Sequence, residues 1–383
     1  MIFKFSAFLY IFLLFNRVFV PFIDLRMILL PMFFYLIVYK ILVLIKNKEI
    51  TFFATKNIFL ILLLFLFLVI ISNFKWFFND YSPNEEVFIN ALILYTYNFL
   101  AIIVFSLYWK SINTKLFGYF FLISGGILWL SLIAQYLGME NLPFASEAVR
   151  GGFEEEFSLI GIRFGGYAED QNYATLGMIF WFILTSIFLE KRILSFIVLI
   201  LSFVGVMISF SKTILLGAIF ILLLFTAKKI KMLLPFIVIS VFVLVFSAFY
   251  LYELLSTLST MSTRFVMWEI AFNGFLDNPL LGSGNTSVRS NFLNEGYWYV
   301  QPHNSFLAML HDNGIFILVL YILFFLKSFN VINLKYKFIV LIILFLSFTQ
   351  ELFVFQYPYF ALGILPIIVL LKQNNIHTTK IRI

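Results

Sequence analysis

Cysteine is absent from the sequence, which excludes disulfides, thiolate catalysis and cysteine-ligated metals. Charge is scarce as well. Only 12% of the 383 residues are charged and 63% are hydrophobic, whereas a soluble domain carries roughly a quarter charged residues. A mean hydropathy of +1.03 points the same way, and the chain belongs in a bilayer. No HExxH or comparable ligand spacing suggests a metal, and no phosphate-binding glycine loop is present to consume ATP. The formal net charge of +7 raises the question of nucleic acid. That reading fails, because Lys and Arg sit in short clusters between apolar runs, with no basic stripe interleaved with aromatics for stacking.

Long apolar runs fill the rest. A spanning helix needs about 20 mostly apolar residues, and the pattern predicts twelve spans. They lie near 3–16, 27–45, 57–72, 87–109, 117–137, 171–190, 193–208, 213–227, 232–251, 304–326, 338–355 and 358–371. The first run lacks a small-residue cleavage site and reads as a span, not as a signal peptide. Alternate loops then sort by charge. One side collects Lys46, Lys48 and Lys56, then Lys110 and Lys115, Lys191 and Arg192, and Lys228, Lys229 and Lys231. It continues with Lys327, Lys335 and Lys337 and the tail Lys372, Lys380 and Arg382. By the positive-inside rule this face, with both termini, is cytoplasmic. The opposite face collects the acidic residues and both long loops, 138–170 and 252–303, within a single integral membrane domain spanning 1–383.

Cations on that translocated face work against the orienting signal, so each one calls for a reason. Arg163 precedes Gly165 and Gly166, where the backbone can approach a ligand closely, and Asp170 or Asn172 can cap the helix that follows. Lys212 sits alone in the short SFSKT turn between two spans, and ordinary snorkelling of a helix-end lysine is the competing explanation. In the second long loop Arg264, Trp268 and Ala271 are four and three residues apart. That spacing puts them on one face of a short amphipathic helix along the interface, with Trp268 as its anchor. Pro279, Gly282 and Gly284 end this helix in a tight turn. The loop closes on Pro302, His303 and Asn304 at the entrance to the next span. His311 and Asp312 lie deeper, where ionisable groups are costly. The Glu154–Glu156 run reads as a solvated loop face, since it would repel an anionic substrate.

These residues resemble the O-antigen ligase and polymerase superfamily. The shared pattern is an arginine-plus-tryptophan helix, a PLxGxG-like turn and a histidine–asparagine pair opening the next span. Here it stands as Arg264, Trp268, the PLLGSG of 279–284 and the PHNS of 302–305. Arg163 with GYAEDQNYA, and the SFSKT turn, are similar to the family's two other recurring sites. One departure is Lys212, where relatives commonly carry arginine; the charge is kept but the bidentate fork is lost.

The resemblance implies an all-α, GT-C-like glycosyltransferase of about twelve spans whose large periplasmic loop contains short helices. It implies inverting, metal-independent transfer from an undecaprenyl-pyrophosphate-linked oligosaccharide at the periplasmic face of the bacterial inner membrane, with no cofactor. An O-antigen polymerase, partnered by a flippase and a chain-length regulator, is the favoured expectation, and nucleic acid is not a partner. Concentrated negative charge on a pyrophosphate suits separate cations, which assigns its binding to Arg163, Lys212 and Arg264. His303 with Arg264 would then form the catalytic pair, His303 as the base, supported by Asp170, Asn172, Trp268 and Asn304. An O-antigen ligase acting on lipid A core is the close alternative. A lipid-linked oligosaccharide flippase is the alternative of another class, although the two similar halves common in transporters are not seen here.

Overall fold

A computed structural model describes residues 1–16, 25–47, 49–51, 56–74, 85–108, 111–139, 145, 149–150, 162–168, 171–209, 259–284, 287–294, 296, 302–333, 336–349, 359–373 and 380–382. Among these, helices α1 (Ile2–Phe15), α2 (Leu25–Asn47), α3 (Lys56–Phe74), α4 (Glu85–Leu107) and α5 (Thr114–Tyr136) lead to α6 (Gln171–Leu189) and α7 (Arg192–Ser209). Then come α8 (Ser259–Asp277), α9 (Ser287–Asn294), α10 (Ser305–Val331), α11 (Lys337–Thr349) and α12 (Tyr359–Gln373). The expected helical architecture holds, with two minimal antiparallel strand pairs added. β1 (Glu49–Thr51) pairs with β4 (Lys380–Arg382), and β2 (Val149–Arg150) pairs with β3 (Ile162–Arg163).

The described helices follow the expected spans; 213–227, 232–251 and the last residues of 338–355 lie outside the described residues. By length and composition α5, α6, α7 and α10 are long and apolar enough to cross a membrane. With the remaining apolar helices they mark a membrane protein. Their boundaries have local causes. Asn113 caps α5 by accepting the Leu116 N–H at 3.1 Å. Between α6 and α7, Glu190 turns the chain at a positive φ of 52°.

The α5–α6–α7 group shows how such a chain packs without a hydrophobic contrast to lipid. Small residues let helices approach closely: the Trp181 ring fills the space beside Gly125, and Met178 fills that beside Gly205. Trp181 also donates its indole N–H to the Leu122 carbonyl at 3.0 Å. The central α6 is therefore buried nearly all round, 89% of its apolar stretch against 33% for α7. Helix α7 instead exposes Ile193, Phe196, Ile197, Ile200, Phe203 and Val204, a helical stripe facing the lipid.

Elsewhere α10 packs on α3, α8 and α11. A small second core of Met267, Ala271, Val288 and Phe292, with Ile270 and Leu307 against it, binds α8, α9 and α10 together. Two polar centres rest on this framework, one at the mouth of α5–α6–α7 and one where α8 and α9 meet α10.

Candidate functional site

Arg163 belongs to the first centre. Its Nε donates to the Ser209 carbonyl at 3.3 Å and one Nη donates to the Asn172 side-chain oxygen at 2.9 Å. The guanidinium, half-buried, thus joins the end of α7 to the start of α6. Asn172 lies inside α6 and holds the arginine, so the capping role expected for it is corrected; Asp170 lies outside the described residues. Ser209 is the last residue of α7 and the first of the SFSKT sequence, and Arg163 therefore touches the helix end that leads to Lys212, itself outside the described residues. The glycine pair after Arg163 does permit a close approach, but to α5. Gly166 N–H donates to Gln135 Oε1 at 2.8 Å and Tyr167 N–H to Ser131 Oγ at 3.0 Å. A Cβ at Gly166 would strike Ser131 Oγ.

The second centre begins with α8. Arg264 and Trp268 are half-buried, and Met267, Ala271 and Gly274 on the same face are buried. This face meets α10 and α9. Trp268 braces that junction: its indole N–H donates to the Pro302 carbonyl at 2.8 Å. The tryptophan of one helix thereby grips the residue before His303.

His303 is held from both sides. Pro302 before it is buried and bonded to Trp268, while Asn304 after it is 2% exposed and caps α10. The Asn304 side chain accepts from the Phe306 N–H at 3.0 Å and the Leu307 N–H at 3.2 Å. Between them His303 adopts a φ of +50°, sparsely populated for a residue with a side chain and maintained only where neighbours enforce it. The imidazole stays half-buried. A partly accessible histidine held in a fixed direction at a helix entrance is well suited to meet a substrate.

The PLLGSG turn explains a break in α10. Gly314 has φ 80° and ψ 179°, so the helix is interrupted about two and a half turns inside its start. A break strands backbone groups, which in a membrane must find partners. Ile315 N–H donates to the Pro279 carbonyl at 2.9 Å, Ser283 N–H to the His311 carbonyl at 2.9 Å, and Gly284 N–H to the Asp312 carbonyl at 2.8 Å. Turn and break satisfy each other. The backbones touch so closely that a Cβ on Gly282 would overlap Asn313 N and Asp312 O, and one on Gly314 would overlap the Leu280 carbonyl. Both glycines also have positive φ, 67° and 80°. From behind, Ser72 of α3 donates to the Asp312 carbonyl at 3.4 Å and accepts from the Asn313 side chain.

Beneath the turn lies a buried side-chain cluster. Asp312 Oδ1 accepts from Ser287 Oγ at 3.1 Å and from Val288 N–H at 3.1 Å, and lies 3.0 Å from His311 Nδ1. His311 Nε2 faces the Asn291 side-chain amide nitrogen at 2.8 Å. Since that nitrogen can only donate, Nε2 accepts and the ring N–H sits on Nδ1, toward Asp312. His311 is fully buried against Gly274 of α8. Ser287 and Asn291 carry no sequence signal of their own; they lie in an unpatterned polar stretch and gain meaning only from His311 and Asp312.

Residues 197–322 match the family model described as O-Antigen ligase. The match places this segment in the O-antigen ligase/polymerase superfamily. It runs from within α7 to Ile322 of α10 and so takes in Ser209, Lys212, Arg264, the glycine turn, His303 and the break at Gly314; Arg163 lies before it. No curated protein matches the chain. The superfamily supports glycosyl-transfer chemistry of the O-antigen ligase or polymerase type in a membrane protein.

Proposed function

We propose that this protein is a surface-polysaccharide polymerase, which joins oligosaccharide repeat units carried on undecaprenyl pyrophosphate at the periplasmic face of the inner membrane. The observation that carries the reading is the grip of the Arg264–Trp268 helix on the His303 entrance, inside the segment that matches the superfamily. In the proposed reaction a hydroxyl of the acceptor sugar attacks the anomeric carbon of the donor glycan. The bond from that carbon to the pyrophosphate oxygen breaks, and its electron pair leaves with the lipid pyrophosphate. His303 takes the hydroxyl proton; such help contributes ~10²–10⁴ in rate.

Charge builds on the departing pyrophosphate, and cations set in advance stabilise it without reorganising. Arg264, one turn before Trp268 on α8, supplies one. Arg163, oriented by Asn172 and Ser209, and Lys212, three residues beyond Ser209 in sequence, supply the others. The donor already stores the energy of the transfer, so no nucleotide is needed. Attack from the face opposite the leaving group inverts the anomeric carbon.

Loss of the gene distinguishes this reading from its neighbour, which the matched family's name favours: an O-antigen ligase moving glycan to lipid A core. A cell lacking the polymerase should carry at most one repeat unit on its core. Complete absence of surface repeats, with lipid-linked polymer left behind, would instead identify the ligase. Sidedness has its own test. In this cysteine-free chain a single cysteine at Ser146 should react with an impermeant maleimide in intact cells; protection until lysis would reverse the topology.

A further inference from the structure

The ionisable pair His311–Asp312 plays no part in the chemistry above, yet it is buried inside the broken helix. Asp312 is 2% exposed and one of its oxygens receives three donors: the Ser287 hydroxyl, the Val288 N–H and the His311 ring. Val288 is the second residue of α9, so a carboxylate from another helix does for α9 what a capping side chain does locally. The single Ser287 hydroxyl proton is shared, since the same oxygen lies 2.6 Å from the carbonyl of Gly284, the last residue of the glycine turn. His311 in turn reaches Asn291 one turn along α9 and lies against Gly274 of α8. Four segments meet here: the turn, α8, α9 and the first half of α10. That half of α10 is the one capped by Asn304 beside His303.

We propose that Asp312 is a positioning residue for the transfer reaction, acting with Ser287 and His311 as a latch. It fixes α9 and the glycine turn to the break in α10. The register of Arg264 and Trp268 on α8 against the His303 entrance follows from that attachment. The latch touches no substrate, and its claimed effect on rate rests on the polymerase reading. Its loss would leave binding groups present but misaligned, and misplacement by about 1 Å can cost about a hundredfold in rate. The contact needs an acceptor at the Oδ1 position. Asparagine keeps one and alanine does not.

The test uses the full-length protein in lipid nanodiscs, as wild type and as Asp312→Ala, Asp312→Asn and Ser287→Ala. Hydrogen exchange of the α9 amides reads the latch without substrate, and chain growth on lipid-linked repeat units reads its consequence. Asp312→Ala should speed exchange across 288–294 about tenfold or more and lower kcat about tenfold to a hundredfold, with KM for the lipid-linked donor changed by less than about threefold. Asp312→Asn should restore most of both. Ser287→Ala, which leaves Asp312 with the Val288 N–H and the His311 ring, should show a smaller version of the same kcat loss; it also serves if Asp312→Ala does not assemble. Unchanged α9 exchange in both alanine variants would overturn the latch. Faster exchange with unchanged kcat, or a loss carried by KM, would overturn its role in positioning. Exchange as expected in a protein that extends no lipid-linked chain would leave the latch standing and remove the polymerase reading instead.

Discussion

Helices α6 and α10 both carry polar residues into an apolar bundle, and they do so in opposite ways. Helix α6 is continuous, surrounded by α5 and α7, and keeps its functional polar residue at its first turn, where Asn172 holds Arg163. Helix α10 is broken at Gly314, buries His311 and Asp312 beyond its first turn, and depends on a distant loop to satisfy the break. A continuous helix meets its own backbone needs, so its end can be adjusted cheaply. A broken one is completed by its partner, so turn and helix stand or fall together. The difference suits the proposed division of work: the α6 mouth supplies a cation, and the α8–α10 junction fixes the geometry of proton transfer.

The contrast can be broken most severely at the glycines. Gly314→Val or Gly282→Val places a side chain on backbone atoms at positive φ, and a loss of about 3–5 kcal/mol is expected. Such variants should fail to accumulate as folded protein or show a large drop in thermal midpoint. Gly126→Ala on α5, where the nearest atom to the new Cβ is Trp181 at 3.8 Å, should be neutral or stabilising by up to about 1 kcal/mol. Equal tolerance at Gly126 and Gly314 would remove the distinction between the two regions.

A second comparison sets the two arginines against each other at constant fold. Arg264→Ala should abolish long-chain glycan with the protein still in the membrane, and Arg264→Lys should rescue it poorly because the planar fork is lost. Arg163→Ala should act in the same direction while also freeing Asn172. Normal chain-length ladders in both alanine variants would remove the pyrophosphate clamp.

Smaller effects sharpen the picture further. Trp268→Phe keeps the ring and deletes the bond to Pro302, a change of about 1 kcal/mol. It should lower kcat several-fold with little effect on thermal stability. Lys212→Arg should be tolerated, since it keeps the charge and supplies the residue more common in the superfamily.

Much of the framework was legible because membrane helices announce themselves by composition. The Lys191–Arg192 pair interrupts two apolar runs, and α6 and α7 end and begin there. Asn304 stands at the entrance to an apolar run, and the structure gives it the further role of capping α10. The Arg264–Trp268–Ala271 spacing correctly indicated a helix face, but spacing cannot say what the face meets. Trp268 turned out to serve Pro302 because α8 packs on α10, a fact set by tertiary contacts. Gly314 carried no warning, since a glycine in an apolar run fits an intact helix equally well. Its break depends on carbonyl and N–H groups some thirty residues earlier. His311 and Asp312 drew notice as buried charge, whereas Ser287 and Asn291 could be recognised only once the fold had brought them together.

The central claim is that His303, held between Trp268's grip on Pro302 and the Asn304 cap, accepts the proton in a metal-free transfer. The most direct measurement is chain growth by purified protein on lipid-linked repeat units in EDTA, for wild type and His303→Ala, across pH 5–8. Wild type should extend chains without added metal and slow toward the acidic end of that range, since only neutral imidazole takes a proton. His303→Ala should be slower by about 10²–10⁴ and lose that pH dependence. Full-rate growth in His303→Ala, or growth that requires a restored metal ion, would contradict the account.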